Sequence, residues 1–170
     1  NTNGHINLLF LYLQLINENM KIAILGTRGI PNNYGGFEQC AEYLSVGLVE
    51  KGHKVTIYSP VFHPYKEANY KGVKIIRKAS PQHIFGQSAS NFIYDYLCLK
   101  DAVKQDFDII LELGLITSSL SIIFCRKRGK VIVTNLDGLE WKRPKWNKVV
   151  QKITKTLEKY GVKYSNYLIA

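Results

Sequence analysis

Short, wholly apolar runs alternate with longer helical patterns along this 170-residue chain, and that alternation constrains its fold more than any other feature. Lys21–Leu25 is a continuous apolar run after its first residue. Lys54–Tyr58, Val73–Arg77, Asp108–Leu111 and Lys130–Thr134 follow in the same style, and Tyr167–Ala170 begins a sixth. The segments between them have helical spacing. Phe37–Lys51 places Cys40, Ala41, Leu44 and Leu48 on one side and stops at Lys51-Gly52. Ser90–Lys104, with Ser88 or Ser90 as cap, Leu115–Arg126 and Lys145–Tyr160 are the other expected helices. A strand without a polar face must be covered on both sides, and helical connections make neighbouring strands parallel. The class is therefore α/β: a doubly wound, mostly parallel, Rossmann-like sheet.

With 46% apolar residues the chain can build one sizeable core. Its charge is lopsided: 23 Lys and Arg against 13 Asp and Glu, a formal net charge of +10. Such a surface favours anionic partners. Cys40, Cys98 and Cys125 are isolated and odd in number, so neither a disulfide scaffold nor a zinc motif is expected, and a reduced, cytosolic setting is. Residues 1–19 include the apolar stretch HINLLFLYLQLI, too short for a membrane span and without the flanks of a signal peptide. Met20 is the only methionine, and the first strand follows it. Residues 20–170 are thus read as the domain. Residues 1–19 are read as upstream or remnant sequence, or as an amphipathic segment docked on the domain or a membrane. Because the chain stops inside the apolar run Leu168-Ile169-Ala170, it is read as part of a longer protein.

Ligands of such sheets sit beyond the carboxyl ends of the strands, so the loop Gly26–Gly36 is the first place to look. It is not a dinucleotide fingerprint: positions 26, 28 and 31 hold Gly, Arg and Pro. The second strand ends TIYSP, without an acid for a ribose, and no Gly-Lys-Ser/Thr forms a phosphate loop. What remains is Gly35-Gly36 at a helix start, where glycine permits close approach or positive φ, and free amides favour an anion such as a diphosphate. Glu38, in the first turn, either complements the helix end or reaches a ligand hydroxyl. Arg28 either meets phosphate or is solvated.

The stretch MKIAILGTRGIPNNYGGFEQCAEYLSVGLVEKGHKVTIYSP closely resembles the start of the retaining glycosyltransferases of family 4, through its first strand, its Gly-Gly-x-Glu loop and KGHKVTIYS. With TRGIP…YGGFE and the later NLDGLEWKRPKW it looks like a bacterial branch that includes rhamnosyltransferases of polysaccharide assembly. The resemblance implies a GT-B architecture of two Rossmann-like domains, this chain being the acceptor-side one. Most of the donor site would lie in a second domain beyond Ala170. It implies a nucleotide-sugar substrate, a glycan or lipid-linked acceptor, and neither metal nor cofactor. Asp137 stands where many members of the family carry a His near the reacting sugar. There it could accept a hydroxyl or stabilise charge at the anomeric carbon, or simply cap a turn. Glu140, Trp141, Lys142 and Arg143 could shape the acceptor pocket, or Trp141 and Trp146 could cover the sheet edge.

Lys145, Lys148, Lys152, Lys155 and Lys159 recur every three or four residues beside an apolar side of Val149, Ile153, Leu157 and Tyr160. This is either a solvated face with the apolar side packed on the sheet, or a dock for anionic lipid on the inner face of the cytoplasmic membrane. A nucleic-acid module has only the basic charge in its favour, without a recognisable motif. His53 is expected at the surface, and His63 and His83 have no metal-like spacing. Tyr94 and Cys98 are assigned to helix packing. Glu112 ends a strand on the same edge as the motifs, without an assigned role.

Overall fold

The computed structural model describes residues 19–126, 129–136, 140–144 and 146–169. Residues 1–18, Asp137 and Lys145 therefore lie outside the described residues, as do the side chains of His83, Ser88, Cys125 and Glu140. The elements run β1 Lys21–Leu25, α1 Gly36–Glu50, β2 Lys54–Pro60, β3 Asn69–Tyr70, β4 Val73–Lys78 and α2 Gln82–Ala102. There follow β5 Ile109–Glu112, α3 Leu115–Arg126, β6 Val131–Asn135, a 3₁₀ turn Glu140–Lys142, α4 Lys148–Tyr164 and β7 Tyr167–Ile169.

The strands form one sheet in the order β3-β4-β2-β1-β5-β6-β7. All pairings are parallel except β3 with β4, which are antiparallel. This is the doubly wound α/β sheet that the apolar strands call for. β1 shows why both faces must be covered. Ile22 and Ile24 pack on one side with Ala41, Leu44 and Leu48 of α1. Ala23 and Leu25 pack on the other with Tyr94, Cys98 and Leu99 of α2 and Leu115 and Ile122 of α3. The strand order turns at β1, which has β2 on one side and β5 on the other. That switch point leaves a crevice between the loops after β1 and β5.

Three expectations are corrected. α2 starts at Gln82 after Pro81 and is broken at Gly86, so it begins earlier than expected; Ser90 is buried inside it rather than capping it. His53 is buried, not at the surface, and its Nδ1 accepts the Met20 amide at 3.3 Å. The apolar side of α4 does not pack on the sheet: Val149 is 67% and Ile153 53% exposed, and Tyr160 is also exposed. α4 instead seats Gly161 against Leu115 and Ser119 of α3, with Thr154 the other buried residue on the helix. Small residues permit that close approach.

Candidate functional site

The loop after β1 is built by two glycines and two carboxylates. Gly26 and Gly29 have φ of 78° and 90°, a region that side chains rarely enter. A Cβ on Gly26 would overlap Oε1 of Glu112 and the amide nitrogen of Gly114, and one on Gly29 would overlap the Ser59 side chain. The first turns of α1 then hold the loop down. The Arg28 amide donates to Glu38 Oε1 at 2.9 Å, and the Asn32 amide to Glu42 Oε2 at 2.7 Å. Glu38 is buried, so one of its oxygens serves the loop itself. The Arg28 guanidinium lies 4.0 Å from the centre of the Tyr34 ring.

Gly35 and Gly36 do not carry the left-handed backbone that the sequence allowed for. Gly35 is the extended residue before α1, with φ −162°. Their importance is spatial. No side chain caps α1, and its first intrahelical bond is Gln39 N–H to Gly35 carbonyl. The amides of residues 36–38 thus have no acceptor within the helix. A Cβ on Gly36 would meet nothing within 4 Å.

That space is a cleft of about 310 Å³ at the switch point. Gly26, Thr27 and Arg28 line it from the β1 loop, and Tyr34, Gly35, Gly36, Phe37 and Glu38 from the mouth of α1. Asn91 and Asp95 of α2 close one wall, and Gly114 and Thr117 close it at the start of α3. The helix N-termini of α1 and α3 therefore converge on one space, which suits negative charge.

Two buried acids stand here: Asp95 lines the cleft, and Glu112 lies behind Gly26 and Gly114. Asp95 is buried, and burial pushes its carboxyl up to about 7, with the Thr117 hydroxyl opposing. Glu112 is fully buried at the end of β5, in register with Leu25. Its Oε1 accepts the Gly114 amide at 3.0 Å, while Oε2 has no partner among the described residues. Burial first, then the nearby Asp95, drives the Glu112 carboxyl well up. Burying an ionised carboxylate costs several kcal/mol. The Gly114 amide and the Ser118 hydroxyl oppose that cost without overcoming it. Glu112 therefore keeps its proton.

The structure thus brings Arg28, Gly35, Gly36 and Glu38 to one cleft. Trp141 is elsewhere: its Nε1 donates to Glu158 Oε1 at 3.3 Å, and its ring lies under Lys155 Nζ at 4.6 Å, so it is docked on α4. Arg143 is exposed in the same turn region. Asn91, Asp95 and Thr117 were not foreseen, and Glu112 was noticed only as an acid ending an apolar strand. Among the described residues no cluster of His, Cys, Asp and Glu could hold a metal ion. His63 is buried behind Gly29, with Nδ1 accepting the Tyr65 amide at 3.2 Å; burial pulls its pKa down.

The family described as a domain of unknown function, DUF1972, matches residues 19–170. The chain belongs to this family. DUF1972 domains are found at the N-terminus of glycosyltransferase-like proteins of family 4. No curated protein matches the chain. The match places the cleft, the Gly35-Gly36 mouth and the two buried acids within one DUF1972 domain.

Proposed function

We propose that this DUF1972 domain is the N-terminal, acceptor-side half of a retaining, GT-B glycosyltransferase. It moves a sugar from a nucleotide-sugar to a glycan or lipid-linked acceptor in bacterial surface polysaccharide synthesis, in the rhamnosyltransferase-like branch. The observation that carries the reading is Gly36: a position open to the cleft, at an uncapped helix mouth, in a family that stands at the head of glycosyltransferase-like chains. The free amides of α1 hold the donor diphosphate, with Arg28 beside them. Glu38 fixes the loop and offers its second oxygen to a sugar hydroxyl. Asp137, shortly after β6, stabilises positive charge at the anomeric carbon, and Glu140, Trp141 and Arg143 shape the acceptor side. A second domain of the same polypeptide supplies the rest of the donor site, and the nucleotide-sugar is a substrate, with no separate cofactor.

The same reading sets the enzyme on the inner face of the cytoplasmic membrane, where a lipid-linked acceptor is met. Exposed Lys148, Lys152 and Lys159 on α4 adjoin the exposed Val149, Ile153 and Tyr160, a basic helix with an apolar edge. Among the described residues no helix is long and apolar enough to cross a membrane.

The test is Gly36→Val in the full-length enzyme. Its side chain fills the space of the phosphates without meeting protein, so transfer should fall at least a hundredfold while the melting temperature holds. Wild-type turnover in a folded Gly36→Val protein would show that the glycine pair is only a turn.

A further inference from the structure

The cleft presents an anion-seeking helix mouth and, in the same lining, an acid. Asp95 reaches in from α2 with 4% of its surface exposed. Glu112 of β5 stands close enough to repel it, with one oxygen on the Gly114 amide and the other without a partner. The ion pairs Lys21 with Asp106 and Lys78 with Asp101 involve neither acid, and burial, opposed by the Thr117 hydroxyl, is what acts on Asp95. The other groups around Asp95 do not neutralise it. Tyr94 and Cys98, its neighbours on α2, are buried and uncharged, their pKa values raised by burial. Thr117 of α3 gives a hydroxyl. Lys78 of β4 is engaged by Asp101. Arg28 and Glu38 face the cleft from the β1 loop and α1, Arg28 being stacked on Tyr34 and Glu38 bonded to the Arg28 amide.

Two carboxyl groups this close and this dry do not ionise together. With Glu112 neutral, the proton that changes near neutrality is the one on Asp95. Ionised, Asp95 repels a phosphoryl oxygen at the mouth of α1. Neutral, it donates a hydrogen bond to one. We propose that Asp95, backed by Glu112, is a ligand-reading residue of this cleft that bonds a phosphoryl-type oxygen as a neutral acid, so that anion and proton bind together. This rests on the reading of the cleft as a phosphate site and adds a regulator to it: the site empties as pH rises.

Sulfate is a suitable probe, because it stays a dianion from pH 6 to 8.5. Its binding to the chain is followed by the NMR shifts of the Gly36 and Gly114 amides, which exclude sulfate held elsewhere by lysines. In the wild-type chain affinity should fall about tenfold per pH unit above 7. Asp95→Asn, which keeps the shape and can still donate, should bind with affinity independent of pH. Glu112→Gln should leave the slope in place, since it replaces a group already neutral. If Asp95→Asn does not fold, calorimetry of the wild-type chain in two buffers of different ionisation enthalpy counts the proton: about one taken up per sulfate at pH 8 is expected. A flat wild-type profile, no proton uptake, or an unchanged slope in Asp95→Asn overturns the proton linkage and leaves the anion site standing. No shift at Gly36 and Gly114 at any pH overturns the anion reading and the linkage with it.

Discussion

Asp95 ties the stability of the domain to pH, and the sign can be worked out. An ordinary aspartate titrates near 3.8, whereas burial lifts Asp95 to about 7. Between those values the folded chain holds a proton that the unfolded chain has released. Asp95's share of the stability therefore falls as pH rises from about 4 to 7, and Glu112, which keeps its proton in the fold and loses it in the unfolded chain, adds a decline that continues above 7. Asp95→Asn should remove that share, leaving only the Glu112 decline, and make the domain more stable than wild type at pH 8, by on the order of 2–4 kcal/mol. Chemical denaturation of both proteins at pH 5 and pH 8 checks it. A variant no more stable than wild type at pH 8 would mean that Asp95 gains a compensating partner when ionised. The residue was not legible beforehand for a simple reason. Arg28, Gly35, Gly36 and Glu38 fall within eleven consecutive positions, so the chain itself displays them as a unit. Asp95 and Thr117 join them only when α2 and α3 fold against β1. Glu112 left a trace, an acid at the end of IILE, but its meaning depends on Gly26, whose missing Cβ makes room for its carboxyl.

At the scale of elements, the central strands β1 and β5 were legible because burial on both faces writes itself as an apolar run. β3 was not, being two residues long and paired only with β4. α4 shows how periodicity can be right about a helix and wrong about its contact. The helix was expected over Lys145–Tyr160 and lies at Lys148–Tyr164, since the Asn147 side chain accepts the Val150 amide at 2.9 Å and sets its start. Its buried contact is made by Thr154 and Gly161, which an apolar count ignores. Gly161 supports a prediction. Alanine in a helix interior gains up to about 1 kcal/mol over glycine. Here, however, its Cβ would overlap Leu115 Cδ1 and lie 3.1 Å from Leu115 Cγ. Overpacking costs typically 1–3 kcal/mol, so it outweighs the propensity. Gly161→Ala should lower stability by about 1 kcal/mol, and Gly161→Ala with Leu115→Ala should show strong non-additivity in a double-mutant cycle. A stabilising Gly161→Ala would show that Leu115 turns aside freely and that α4 is held by something other than this close approach.

For the molecule as a whole, the sheet places its two polar features apart in kind: a cleft lined by the buried Asp95 at the switch point, and an open basic helix packed on α3. The open helix yields the last prediction. On α4 the lysines alone would give an attraction of on the order of 1 kcal/mol each to an anionic surface, screened by salt. The exposed Val149 and Ile153 beside them add an apolar contribution that salt does not screen. A chain beginning at Met20 should therefore sediment strongly with vesicles rich in acidic lipid and only weakly with neutral ones, and should be only partly released by high salt. Lys148→Glu, Lys152→Glu and Lys159→Glu together should cut binding to acidic vesicles to no more than the weak level seen on neutral ones. Lys155 is left alone because it lies over Trp141, and its loss would disturb the turn. Val149→Ser with Ile153→Ser should convert the salt-resistant remainder into fully salt-reversible binding without loss of stability, because neither side chain packs in the core. Equal binding to neutral and acidic vesicles, or binding indifferent to the three charge reversals, would reduce α4 to a solvated face.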